Sequence, residues 1–188
     1  RVSADSIAHI ALYDLGVGTA TLIAALADAA RSVTIVEPSA SDAERVETIL
    51  RRRLQGKAFA VVSDLAGPCD LFLCRASHPA CAPKGAIIGL MDGPAGLQGV
   101  DDPLRSVALD LTDLGLVEIA FGASSDGTRM AVTGLMKALN APCAVTRSTE
   151  AFAGTILQDA TLGMIDCILL RGQTPWEFDE ALEEAGFA

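Results

Sequence analysis

The feature that most constrains this chain is a series of short, almost wholly apolar runs set between segments of helical period. Residues 7–13 (IAHIALY), 32–36 (SVTIV), 71–74 (LFLC) and 85–90 (GAIIGL) show little of the polar alternation of a strand with one wet face. Runs of this kind fit parallel strands buried on both sides. Residues 58–62, 107–109, 116–120 and 143–146 add further strand-like segments, and residues 21–30, 41–54 and 127–139 read as helices. Strands alternating with helices predict an α/β domain with a mostly parallel sheet. Residues 79–84 are too few and too proline-rich for a crossover helix between 71–74 and 85–90, so the domain is expected to be a reduced version of its class.

From residue 149 the pattern changes. Phe152, Leu157, Leu162, Ile165, Ile168 and Leu169 recur at helical spacing. After a break at 172–175, Thr174 is placed to cap a helix that begins at Pro175, with Glu177 three residues beyond the cap. Ser41 is expected to cap the helix at 41–54, with Glu44 three residues on, and the run Arg51-Arg52-Arg53 complements the dipole in its last turn. Two domains are therefore expected: 1–148, α/β, and 149–188, helical.

Charge excludes some partners. The formal net charge is −10, which repels a phosphate backbone, so nucleic acid is not expected. No uninterrupted apolar run reaches the roughly 18–20 residues that span a bilayer, so no membrane association is expected. The five cysteines, Cys69, Cys74, Cys81, Cys143 and Cys167, contain no C-x-x-C pair. Cys69, Cys74, Cys81 and His78 cluster in sequence, but at no recognisable zinc spacing. They read as small buried hydrophobes of a reduced, cytosolic protein, and no metal is expected. Arg1 is not a natural start, which suggests a piece of a longer chain.

The turn after the first strand, Asp14 to Thr19 (DLGVGT), is the first motif with chemical content. A dinucleotide site places G-x-G-x-x-G here and an acid at the end of the second strand to hold a ribose. Glu37 supplies the acid. If Asp14 stands at the first glycine, Gly16 is the second and Thr19 replaces the third; if the motif starts at Gly16, Gly18 is second and Thr21 third. A carboxylate at Asp14 would face a diphosphate, so NAD is not expected to bind this segment through Gly16, Gly18 and Glu37. The same turn also looks like the first motif of S-adenosylmethionine-dependent methyltransferases, whose cofactor has no phosphate. There Glu37 would hold the ribose and Asp64 the adenine side.

The second half carries a more specific resemblance. Leu116-Val117-Glu118-Ile119, then Gly122, Ser124-Ser125-Asp126, a helix ending KALNAP, a strand, and Ala151-Phe152-Ala153-Gly154-Thr155-Ile156-Leu157 follow the order of the 3-hydroxyacyl-CoA dehydrogenase family. The run from Gly172 to Leu182 resembles that family's G-x-x-x-P-E-D-I-D-x-A-L helix, and Gly186-Phe187 its following turn. The resemblance is strong over residues 115–187 and weaker, though in the same order, over 7–114. It implies a Rossmann-like domain followed by the start of a helical C-terminal domain. The parent enzyme would oxidise a 3-hydroxyacyl-CoA with NAD and dimerise through the helical domain. The family's catalytic histidine is oriented by a glutamate twelve residues later. Glu118 matches the glutamate, and counting back places Ser106 at the histidine, with Leu109-Asp110 for Asn-Pro. Thr155 replaces a substrate-side asparagine, and Leu90-Met91-Asp92-Gly93 replaces a serine–asparagine stretch. Serine is no general base near neutral pH. An alternative is an active dehydrogenase with a reorganised site, in which His78 would substitute as the base, although it lies outside the motif. The resemblance thus implies a degenerate, non-catalytic copy, Glu118 being a vestige, held within a chain whose other part binds NAD and acyl-CoA.

Overall fold

The computed structural model describes residues 7–112, 114–172 and 174–185. It divides into two compact units, one ending at Phe152 and the other beginning at Ala153. In the first unit the elements run β1 (His9–Tyr13), α1 (Ala20–Ala29), β2 (Ser32–Val36), α2 (Ala40–Arg53), β3 (Ala60–Val62), β4 (Leu71–Cys74), β5 (Ile87–Leu90), β6 (Ser106–Asp110), β7 (Val117–Ala120), α3 (Asp126–Ala138) and β8 (Cys143–Thr146).

The strands form one sheet in the order β3-β2-β1-β4-β5-β6-β7-β8. Six are parallel; β7 runs antiparallel to β6, and β8 is parallel to β7. The first six positions have the order of a dinucleotide-binding sheet, with the direction of winding reversed between β1 and β4. The apolar runs divide by parity, because successive side chains of a strand point to opposite faces. Ile10, Leu12, Val33, Ile35, Leu71, Leu73, Val107 and Leu109 face α1, α2 and α3, and meet Ile23, Leu26, Leu50 and Val132 there. Ala11, Phe72, Cys74, Ile88, Leu90 and Ala108 face the other way, where Leu65, Leu97, Val100 and Phe152 cover them.

Among the described residues of the first unit, no long helix covers that second face. The β4–β5 connection holds one 3₁₀ turn at Pro79–Cys81, and the β5–β6 connection holds 3₁₀ turns at Pro94–Gly99 and Pro103–Arg105. The missing crossover helix expected from the sequence is therefore absent, and thin turns take its place. A thin layer must sit close to what it covers, and Gly96 shows this. A methyl group there would lie 2.6 Å from the Ala76 Cβ and 3.0 Å from Leu90. Gly89, within β5, is close-packed on the opposite, helix-covered face, where a methyl group would lie 2.6 Å from the end of the Leu73 side chain.

Helix ends follow local chemistry. Ser39, and not Ser41, caps α2, accepting a hydrogen bond from the Asp42 amide; Ser41 lies inside the helix with its hydroxyl 2.9 Å from that of Ser39. Arg51, in the last turn of α2, pairs with Glu47 and lies over the Phe59 ring. Ser125 caps α3.

The second unit consists of α4 (Ala153–Leu170) and α5 (Pro175–Glu184). Glu177 accepts hydrogen bonds from the Thr174 amide at 2.8 Å and its hydroxyl at 2.6 Å, closing the predicted capping box. These bonds hold the Glu177 carboxyl below its ordinary value. None of α4 is buried, and its mean hydropathy of 1.3 over 18 residues reaches the length and composition of a membrane span, with Asp159 and Asp166 interrupting it. Gln173 and Gly186-Phe187 lie outside the described residues.

The close contact beneath Gly96 yields a stability test. Gly96→Ala should lower the free energy of unfolding by about 1–3 kcal/mol in chemical denaturation. Ala76→Gly in the same chain should recover much of that loss, because it removes the methyl group that is struck.

Candidate functional site

In an open parallel sheet, ligands bind outside the carboxyl ends of the strands where the winding reverses. Here that crevice is bounded by the ends of β1 and β4. The β1 turn is unusual in its backbone. Asp14 has φ 53°, a left-handed conformation that aspartate tolerates better than most residues. Gly16 has φ 68° and ψ −172°, a region open almost only to glycine. Gly18 has no positive φ and stands in open space. The left-handed positions are thus 14 and 16, which is the frame that begins at Asp14. Thr19, at the third-glycine position, donates its hydroxyl to the Gly16 carbonyl at 2.9 Å.

Glu37 follows β2 directly, and its backbone amide bonds the Val62 carbonyl at the end of β3. Its side chain reaches back to the turn and accepts a hydrogen bond from the Gly16 amide at 3.2 Å. The residue is buried. Burial pushes its carboxyl above the ordinary value; the Gly16 amide pulls the other way, and the nearby Asp14 and Asp42 carboxylates add to the rise. Gly16 and Glu37 are therefore brought together as the fingerprint requires, while the amide that would meet a phosphate already holds a carboxylate. They line a shallow cleft of about 340 Å³ with Asp14, Asp42, Arg45 and Arg75. Asp64 lines a different cavity, of about 500 Å³, with Tyr13, Phe72 and Cys81. The acid pair of the methyltransferase reading is not gathered in one cavity.

Ser106 and Glu118, the positions singled out by the resemblance, lie on neighbouring strands. Ser106 opens β6, is 1% exposed, and donates its hydroxyl to the Asp102 carbonyl at 2.7 Å. Glu118, also buried, lies in β7, and the antiparallel register sets it opposite Asp110. Four residues of strand, about 13 Å of rise, separate Ser106 from the ladder position that faces Glu118. The structure does not bring Ser106 and Glu118 together. The β6–β7 connection is short, so twelve residues counted back from Glu118 pass around the hairpin and down the whole of β6. Asp110, noted only as part of Leu109-Asp110, is the residue across the ladder; its carboxylate accepts from the amide and the hydroxyl of Thr112.

Both histidines of the chain lie elsewhere. His9 begins β1 with Nδ1 2.7 Å from the Ser32 hydroxyl. His78 follows β4, with its ring 5.4 Å from that of Tyr13. A hydrogen bond with the Cys81 thiol, burial and neighbouring carboxylates raise the Tyr13 hydroxyl above its ordinary value. Burial pushes Cys69 to about 11 and Cys74 to about 12, so both are protonated near neutral pH. Cys81, Cys143 and Cys167 are exposed, against the expectation that the cysteines act as buried hydrophobes. Among the described residues, no three His, Cys, Asp or Glu side chains converge as metal ligands. Thr155 lies in the first turn of α4, and Met91 and Asp92 follow β5, where Asp92 accepts from the Ala76 amide at 2.7 Å.

No family model matches the chain, and no curated protein is significantly similar to it. Solved structures do resemble it. The NAD+-dependent dismutase 5-formyl-3-hydroxy-2-methylpyridine 4-carboxylic acid 5-dehydrogenase superposes with a TM-score of 0.76 at 15% identity, covering 94% of this chain and 70% of that one. An (S)-3-hydroxybutyryl-CoA dehydrogenase from Ralstonia eutropha gives 0.70 at 17% identity, covering 95% and 77%. A 3-hydroxyacyl-CoA dehydrogenase from Archaeoglobus fulgidus gives 0.66 at 16% identity, covering 93% and 68%. At these identities the likeness establishes the fold, which is that of Rossmann-like dehydrogenases.

The raised Glu37 carboxyl makes stability depend on pH with a definite sign. Below about pH 4 the side chain is protonated in both folded and unfolded chains. As pH rises through the ordinary glutamate range the unfolded chain ionises first, so Glu37 opposes folding increasingly until its raised native value is passed. Glu37→Gln keeps an acceptor for Gly16 without the charge. Its stability relative to the parent should therefore rise between acidic and neutral pH in parallel denaturant titrations.

Proposed function

We propose that this chain is a 3-hydroxyacyl-CoA dehydrogenase-like module that performs no hydride transfer itself. In this reading it belongs to a longer cytosolic enzyme that oxidises 3-hydroxyacyl-CoA to 3-oxoacyl-CoA with NAD elsewhere in its length. The observation that carries the proposal is the β6–β7 hairpin: the position across from Glu118 holds Asp110, and neither histidine of the chain lies on either strand. A carboxylate beside a carboxylate cannot form the imidazole–glutamate pair that would accept a hydroxyl proton. The occupied Gly16 amide supports the same reading for the cofactor, since a diphosphate would have to displace Glu37 and approach Asp14 and Asp42, with Arg45 and Arg75 only partly offsetting those carboxylates.

The role assigned in place of catalysis is structural. Ile156, Leu157, Leu162 and Met164 of α4 are all more than half exposed. An apolar surface of this kind marks a protein contact, and we assign it to pairing with a second copy and bracing the catalytic part of the parent chain.

Two experiments test this. The purified chain, given NADH and acetoacetyl-CoA, should show no oxidation at 340 nm and no saturable heat on calorimetric titration with NADH. Tight NADH binding or turnover would contradict the proposal, and heat with S-adenosylmethionine would favour the methyltransferase reading. By analytical ultracentrifugation the chain should sediment as a dimer, and Leu157→Asp should shift it to monomer without changing its circular dichroism spectrum.

A further inference from the structure

The cavity between the Pro94–Gly99 turn, the start of β6, the end of β7 and the segment after β8 measures about 620 Å³, within the usual size of small-molecule sites. It is distinct from the Gly16 cleft and shares no residue with it. In a chain of net charge −10, two arginines line it and no carboxylate does.

The polar groups of this cavity are set up as donors. Arg129 is fixed from behind: its Nε donates to the Ser124 carbonyl at 3.0 Å, its Nη2 to the Gly122 carbonyl at 3.4 Å, and its guanidinium lies 5.5 Å from the Phe121 ring centre. Arg147 forms no ion pair among the described residues. Thr146 accepts a hydrogen bond from the Ser148 amide, and Ser148 accepts from the amides of Glu150 and Ala151. Because each hydroxyl oxygen is used as an acceptor, its proton remains to be donated. Two guanidiniums and two hydroxyls with a proton left to donate suit a dianion better than a single carboxylate. Leu97, Phe121 and Val145 add apolar wall, which suits an organic group attached to the anion.

We propose that this cavity binds a small phosphomonoester, with the phosphate between Arg129 and Arg147 and the organic group against Leu97, Phe121 and Val145. The inference stands independently of the dehydrogenase-like reading, since it uses neither the Gly16 turn nor the β6–β7 hairpin carboxylates.

Phenyl phosphate is a suitable probe, with benzyl alcohol as an uncharged control. In amide-resolved NMR of the isotope-labelled chain, phenyl phosphate should produce saturable shifts at Gly122, Ala123 and residues 146–149, weakening as salt is added. Benzyl alcohol should not. Arg147→Gln removes an exposed side chain with no described bond, so the fold should persist, and affinity should fall about tenfold. Thr146→Val gives a second, uncharged test of the donor set and should also weaken binding. Three results overturn the proposal: no saturable shift, shifts confined to residues 14–17, or equal affinity in the parent and Arg147→Gln.

Discussion

A parallel sheet must be covered on both faces, because its strands expose apolar side chains on either side and cannot turn one to water. Within the first unit the cover is unequal. Three helices lie over one face, while 3₁₀ turns and loops lie over the other. The thin side works only through close approach, which explains why glycine stands at 96 against Ala76. Shortening the connections has not altered the strand order, because the order is held by the backbone ladders from β3 across to β6. The reversal between β1 and β4 consequently survives, together with the crevice that it creates.

That crevice lies where a nucleotide site would, and three carboxylates, of Asp14, Glu37 and Asp42, outnumber the two guanidiniums, of Arg45 and Arg75, that line it. Of the two positive-φ residues of the turn, one is an aspartate and the amide of the other, Gly16, is bonded to Glu37. A buried carboxylate needs a partner, and Gly16 supplies one. The same contact stabilises the turn and occupies the group that would have greeted a phosphate. The cation-rich cavity lies elsewhere, against the ends of β7 and β8. Anion binding in this acidic chain is therefore assigned to a place that the dinucleotide fingerprint does not mark.

The central strands were legible because their residues are mostly apolar, and the missing crossover helix because residues 79–84 are few and rich in proline. The capping box at Thr174 was legible because both partners lie within one turn. The cap of α2 was not: Ser39 and Ser41 are both serines ahead of an apolar period, and backbone conformation decides between them. The frame of the glycine turn needed the φ values of Asp14 and Gly16. The pairing of Glu118 was hidden for a topological reason. Distance along a chain says nothing of distance in space across a hairpin whose length is unknown, and only the ladder register shows that Asp110 lies across from Glu118. The donor cavity combines residues from four distant segments, with no local pattern to announce it.

The central claim is that Glu37 holds the Gly16 amide and keeps a dinucleotide from it. The direct measurement is the Gly16 amide proton shift as a function of pH, with and without excess NAD. The shift should titrate with Glu37, at a midpoint above the ordinary glutamate value, and the curve should be the same when NAD is present. A curve that NAD displaces or abolishes, or an amide that ignores the ionisation of Glu37, contradicts the account.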